Sequence, residues 1–160
     1  AAGMEAVGYY LLAYLFSNLA VFFVVVTAAE AIGSDALEGY AGLSKRSPFL
    51  AAAMFVGLLS LAGVPPLAGF AGKLLVLLAT ADSGQLWLVA VGAVNVAISL
   101  YYYLMVVKRM YLGAAATTAP IRVGPLTKLS ISLLLLGIFL IGIVQEPFLR
   151  QIALAALPIR

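Results

Sequence analysis

The chain has 160 residues, of which 65% are hydrophobic and 9% are charged, whereas about half of the residues of a soluble domain are apolar. We therefore expect an integral membrane protein, and the net charge of +3 is too small and too scattered for a nucleic-acid-binding surface. The sequence contains no cysteine and no histidine, which excludes disulfides and thiolate chemistry and argues against haem, zinc or iron–sulfur sites on this chain.

The first apolar segment covers residues 7–29, which is enough length for one crossing of a bilayer. Asn18 is the strongly polar residue in its interior. The residues before it, Ala1-Ala2-Gly3-Met4-Glu5, offer neither an initiator methionine nor the basic segment of a signal peptide. We therefore expect a piece of a longer subunit, in which residues 1–160 form a single membrane domain.

The second apolar stretch, residues 49–81, is too long for a simple span. With a rise of about 1.5 Å per residue it would form a helix of roughly 50 Å, whereas a bilayer core is about 30 Å thick. Two prolines in its middle remove backbone donors and clash with the preceding turn. The sequence therefore predicts a discontinuous span, with a plain proline kink as the alternative. The predicted break consists of Gly63, Pro65, Pro66, Gly69 and Gly72.

Lys73 follows this break inside the apolar run. A lysine at the centre of a membrane helix costs about 2.5 to 3.5 kcal/mol on insertion scales and usually faces the protein interior or water. Because burial favours the neutral amine, this side chain could gain and lose a proton. We therefore regard Lys73 as the candidate proton-relay residue. The alternatives are a lysine that snorkels to the headgroups and one that is held in a structural ion pair.

Two further spans are predicted after the broken one. Residues 86–111 carry aromatic side chains near both ends, as is common at membrane interfaces, and residues 129–144 form the last span. The tail, residues 148–160, is too short to cross and has the pattern of a short interfacial amphipathic helix. The predicted fold is an all-α polytopic membrane protein with four transmembrane helices.

The basic residues are distributed unevenly between the two ends of these spans. Two lie on the side of the C-terminal tail, and six lie in the connectors after the first and third spans, namely Lys45, Arg46, Lys108, Arg109, Arg122 and Lys128. The positive-inside rule places the side with six in the cytoplasm. The acidic residues of the first connector, Glu30, Asp35 and Glu38, are expected to pair in solvent with Lys45 and Arg46.

Four other polar residues form a weaker candidate path through the membrane, namely Asn18, Asn95, Ser99 and Tyr102. Hydrogen bonding between helices is the alternative for the first three. Packing and interface anchoring are the alternative for Tyr102, which is the middle of three consecutive tyrosines. The sequence predicts neither a metal site nor a cofactor bound by this chain.

The segment SLAGVPPLAGFAGK, residues 60–73, resembles the broken helix of the antiporter-like subunits of respiratory complex I. Three further stretches resemble the subunit N family in particular: GYYLLAY at 8–14, YAGLSKRSP at 40–48 and SLYYYL at 99–104. Leu74-Leu75 departs from that family, in which an aromatic pair often follows the lysine.

This resemblance implies the C-terminal part of a larger antiporter-like bundle in a proton-pumping NADH-quinone oxidoreductase. In that family the lysine of the broken helix belongs to a chain of buried charges, and Lys73 matches it. No redox chemistry is expected on this chain, because NADH, flavin, Fe–S clusters and quinone would bind to partner subunits. The implied partners are other antiporter-like and small membrane subunits, lipid, protons and water. The implied location is a bacterial inner membrane or an equivalent energy-transducing membrane.

Two other functions are compatible with these residues. A subunit of a cation/proton antiporter of the same superfamily would share the fold and the broken helix. A non-translocating structural subunit would use Lys73 for packing. The electron donor of the parent complex stays open, as do the partners of Lys73.

Overall fold

The computed structural model describes residues 2–115, 117 and 119–156. Every regular element in these residues is a helix. The α-helices are α1 (Ala2–Ile32), α2 (Leu43–Arg46), α3 (Pro48–Ala62), α4 (Ala68–Asp82), α5 (Leu86–Leu112), α6 (Pro125–Ile143) and α7 (Gln145–Ala156), with a 3₁₀ turn at Leu37–Tyr40.

Three of these helices, α1, α5 and α6, are long and apolar enough to cross a membrane, and α3 is a shorter apolar helix. Proline occupies the first helical position of α3 and of α6, where its missing N–H costs nothing and its fixed φ favours the helix. For this reason α6 begins at Pro125, ahead of the predicted start at 129. The described part of the tail lies in α7, whose apolar side chains Phe148 and Ile152 pack against the bundle, and residues 157–160 lie outside the described residues.

The stretch 49–81 is folded as two helices, α3 and α4, which are separated by the non-helical residues 63–67. The peptide bond between Pro65 and Pro66 is cis. Proline cannot donate to a helical ladder, and both prolines lie in the residues between the two helices.

Helix α1 lies at the centre of the bundle and packs against α3, α4, α6 and α7. Small residues on its buried face, including Ala13, Ala20 and Ala28, are fully buried, and small side chains let membrane helices approach closely. Tyr9 is also fully buried, and its hydroxyl donates a hydrogen bond to the Ile141 carbonyl on α6. These contacts hold α4 and α6 against α1, and α4 and α6 also pack against each other.

The two basic connectors meet at the same end of the bundle. The Gly42 amide donates to the Arg109 carbonyl at 3.3 Å, and the Arg46 guanidinium donates to the Ala119 carbonyl at 3.2 Å. The expected pairing of Glu38 with Lys45 or Arg46 was wrong, because within the described residues its carboxylate lies 3.8 Å from Arg109 on α5. Folding of the connector against α5 brings this more distant partner closer.

Gly142 of α6 lies directly against the break, because a side chain there would meet the backbone of 66–68. We predict that Gly142→Ala destabilises the fold by about 1 to 3 kcal/mol, the usual range for overpacking. Thermal unfolding of the purified protein in detergent or lipid measures this. Gly3→Ala is the control, since nothing lies within 4 Å of a Cβ at Gly3. Equal unfolding temperatures for the two variants would contradict the prediction.

Candidate functional site

The end of α3 is closed by a glycine turn. Gly63 has φ 85°, a left-handed conformation that glycine adopts without steric cost. Its amide donates to the carbonyls of Leu59 and Ser60 at 3.1 and 3.0 Å, and the Val64 amide donates to Leu59 at 3.0 Å. This Schellman-type pattern satisfies two of the four carbonyls that a helix leaves free at its C-terminus.

Lys73 satisfies the other two. Its Nζ donates to the Leu61 carbonyl at 2.6 Å and to the Ala62 carbonyl at 3.3 Å. The ammonium therefore belongs to the first turns of α4 but caps the end of α3, across the break. Since an unsatisfied carbonyl in a bilayer costs several kcal/mol, this arrangement leaves the last turn of α3 fully bonded.

The position of the ammonium is also favourable electrostatically. The C-terminus of a helix carries a partial negative charge, which stabilises a nearby cation. Within the described residues, Lys73 has no carboxylate within 4 Å. Its partners among these residues are backbone carbonyls, which would hydrogen-bond an ammonium better than a neutral amine.

A chain of hydroxyl groups joins the start of α4 to α1. The Gly69 amide donates to Ser60 Oγ at 3.1 Å, and Ser60 Oγ lies 2.7 Å from Ser17 Oγ. Ser17 Oγ donates to the Ala13 carbonyl at 2.8 Å, so the shared hydrogen between the two serines comes from Ser60. This chain satisfies one free amide of α4 and fixes the distance between three helices.

Gly69 and Gly72 permit the close approach of these helices. A Cβ at Gly69 would overlap the Ser60 carbonyl oxygen, and a Cβ at Gly72 would lie 3.1 Å from Tyr10 Cα on α1. Larger residues at these two positions would move Lys73 away from the end of α3.

Lys73 lines two adjoining cavities. The larger, of about 340 Å³, lies between α1, α4 and α5, and Tyr10, Asn95 and Ser99 provide its polar lining. The smaller, of about 110 Å³, extends towards Ser17, Ser60, Tyr14 and Tyr103. Both cavities are large enough for water, and their hydroxyl and amide groups are suitable partners for it. Lys73 therefore lines both cavities at the break, as do Tyr10 and Ser99.

The sequence-predicted path residues separate into two groups. Asn95 and Ser99 line the larger cavity beside Lys73. Asn18 donates to the Tyr14 carbonyl of its own helix at 3.2 Å, and Tyr102 is 61% exposed on the outside of α5. Of the three consecutive tyrosines, Tyr103 is the one that lines the smaller cavity.

Sequence reasoning missed five hydroxyl groups of this site, namely Tyr10, Tyr14, Ser17, Ser60 and Tyr103. Ser60 could have been found from its place in the last turn before the break, where a hydroxyl can reach the free amides beyond it. In the described part of the chain no three acidic side chains gather in a group that could hold a metal ion.

Comparison with known proteins gives the family of this chain. The family model described as "NADH:quinone oxidoreductase/Mrp antiporter, TM" matches residues 1–99. The chain belongs to this family. It is an integral membrane protein of an energy-transducing membrane, and Lys73 with the whole α3–α4 break lies inside the matched region.

Two relatives and one solved structure are similar to the chain over most of its length. It is 44% identical over 98% of its length to NADH-quinone oxidoreductase subunit N 2 of Solidesulfovibrio magneticus, and 41% identical over 96% to subunit N of Desulfitobacterium hafniense. A chain in the structure of respiratory complex I from Thermus thermophilus with bound aureothin aligns with 92% of it at 29% identity and a TM-score of 0.76. The chain spans about a third of these proteins, 33%, 31% and 34%.

The hydroxyl chain predicts an order of stability among serine variants. Ser60→Ala removes the acceptor of the Gly69 amide, and an unsatisfied buried donor costs about 1 to 3 kcal/mol. Ser17→Ala leaves that bond in place and is expected to cost less. Thermal unfolding of both variants measures the difference, and a larger loss for Ser17→Ala would contradict the directed chain.

Proposed function

We propose that this chain is a proton-translocating segment of the membrane arm of an NADH-quinone oxidoreductase, of the subunit N type. In this proposal α3, the break and α4 form one discontinuous transmembrane helix, which makes four spans with α1, α5 and α6. Lys73 exchanges protons with water in the two cavities. Electron transfer, its cofactors and quinone belong to partner subunits.

The observation that carries this proposal is the double role of Lys73 at the break. Its ammonium is held by two free carbonyls of α3, at 2.6 and 3.3 Å, while its side chain lines both cavities, which carry hydroxyl and amide groups. An ammonium has three N–H donors, so one is left for a cavity water after the two carbonyls are bonded. Loss of this proton to water leaves a neutral amine, which can accept the next proton.

A backbone partner suits this task better than a carboxylate would. A carboxylate in a low-dielectric setting would hold the lysine charged, whereas two carbonyls favour the ammonium less strongly. The protonation of the amine would then depend on the charges of neighbouring groups in the complex.

The same hydrogen bonds favour a second candidate function, which is a structural cap without proton exchange. In that case Lys73 closes α3 and the cavities hold static water. A cation/proton antiporter is a third candidate, since the family description names Mrp antiporters beside NADH:quinone oxidoreductases. Sodium-dependent proton exchange without quinone-linked electron transfer would favour it.

We predict that Lys73→Ala lowers the number of protons moved per electron in the complete complex. The complex is reconstituted into vesicles, and quinone reduction and proton uptake are recorded separately. Lys128→Ala is the matched control, because Lys128 is an exposed lysine at the start of α6. An unchanged proton-to-electron ratio in assembled Lys73→Ala complex would exclude the proton-exchange role.

Lys73→Arg separates proton exchange from capping. A guanidinium can donate to the Leu61 and Ala62 carbonyls but stays charged at all working pH values. We therefore expect the arginine variant to unfold close to the wild-type temperature and yet to pump as poorly as Lys73→Ala. Normal pumping by the arginine variant would support the structural cap, as would a stability loss in Lys73→Ala with an unchanged proton ratio.

A further inference from the structure

Another cavity, separate from the two at Lys73, lies on the outside of α5, at the end of the bundle where the basic connectors meet. Its volume is about 670 Å³, and its lining includes Leu37, Glu38, Tyr101, Leu104, Lys108 and Arg109. It shares none of these residues with the cavities at Lys73. We call this cavity the α5 groove.

The α5 groove has a positively charged end. Lys108 and Arg109 both line it, and the one carboxylate in its lining, Glu38, lies 3.8 Å from Arg109. The side chains therefore leave one net positive charge. The partial negative charge of the helix end is reduced there, because the Arg109 carbonyl accepts hydrogen bonds from the amides of Gly42 and Gly113 at 3.3 and 3.0 Å. This end favours an anion.

The rest of the α5 groove is apolar. Leu104 and Tyr101 precede Lys108 by one and two helical turns, which places them roughly 6 and 10 Å from it along the axis. Leu104 is 44% exposed and Tyr101 is 62% exposed. Leu104 and Tyr101 lie on α5, a helix that is long and apolar enough to cross a membrane. An occupant of this groove would meet a cation at the helix end and apolar surface towards the bilayer core.

We infer that the α5 groove binds an anionic phospholipid. Its phosphate would lie between Lys108 and Arg109, and its acyl chains would lie along Leu104 and Tyr101. Basic pockets beside transmembrane helices on the cytoplasmic side have this chemistry, and the charge distribution of the sequence predicts that side for this end of the bundle. A polypeptide segment would fill the apolar part, but it would need its own carboxylate to match the cations.

Photolabelling of the complete complex tests this inference. The complex is reconstituted in phosphatidylcholine vesicles that contain a trace of photoactivatable phosphatidylglycerol or, in parallel, photoactivatable phosphatidylcholine. After irradiation, lipid adducts are mapped by mass spectrometry on peptides that cover 101–113. We expect about fivefold more label from the anionic lipid, since one basic residue near a membrane surface contributes roughly this factor.

Variants of Lys108 identify the source of the preference. Lys108→Gln is expected to lower labelling by phosphatidylglycerol to the phosphatidylcholine level, whereas Lys108→Arg keeps the charge and the preference. Lys128→Gln, which removes a lysine outside the α5 groove, is the control. Equal labelling by the two lipids would overturn the inference. So would labelling that Lys108→Gln leaves unchanged, or no labelling by either lipid, because a polypeptide then fills the groove.

Discussion

The carbonyl groups at the end of α3 impose the constraint on which the rest of this structure depends. A helix that ends inside apolar surroundings must find donors for its last four carbonyls, because no bulk water is available there. Gly63 turns the chain so that two of them are bonded by amides, and Lys73 donates to the remaining two. A charged side chain therefore stabilises an interruption that two prolines created.

This arrangement explains why close packing is concentrated around the break. For Lys73 to reach α3, α4 must approach both α3 and α1, and Gly69 and Gly72 allow that approach. The hydroxyl groups of Ser60 and Ser17 then bond the polar atoms that the contact buries. The cavities open on the side of α5, where packing is looser and Asn95 and Ser99 are exposed to the space. Lys73 is therefore held by close helix contacts on one side and borders a cavity with Asn95 and Ser99 in its lining on the other.

Much of the fold could be predicted from the pattern of residues. Long apolar segments predicted the helices α1, α5 and α6, and Pro65 and Pro66 lie between α3 and α4. The partner of Glu38 could not be predicted, because it depends on how the connector folds back onto α5. Nor could Tyr103 be chosen over Tyr102, since neighbouring residues on a helix differ by about 100° and the rotation of α5 is set by its neighbours.

The order of residues along the chain specifies an apolar helical protein, a long apolar stretch with two prolines in its middle, and one lysine after those prolines. These features depend on composition and on the backbone chemistry of proline and glycine, which are local. The hydrogen bonds of Lys73 to the carbonyls of Leu61 and Ala62, and its position beside Ser17, Ser60 and Tyr103, depend on the packing of the helices. The reason is physical: these groups come from different helices, and their distances are set by packing against α1.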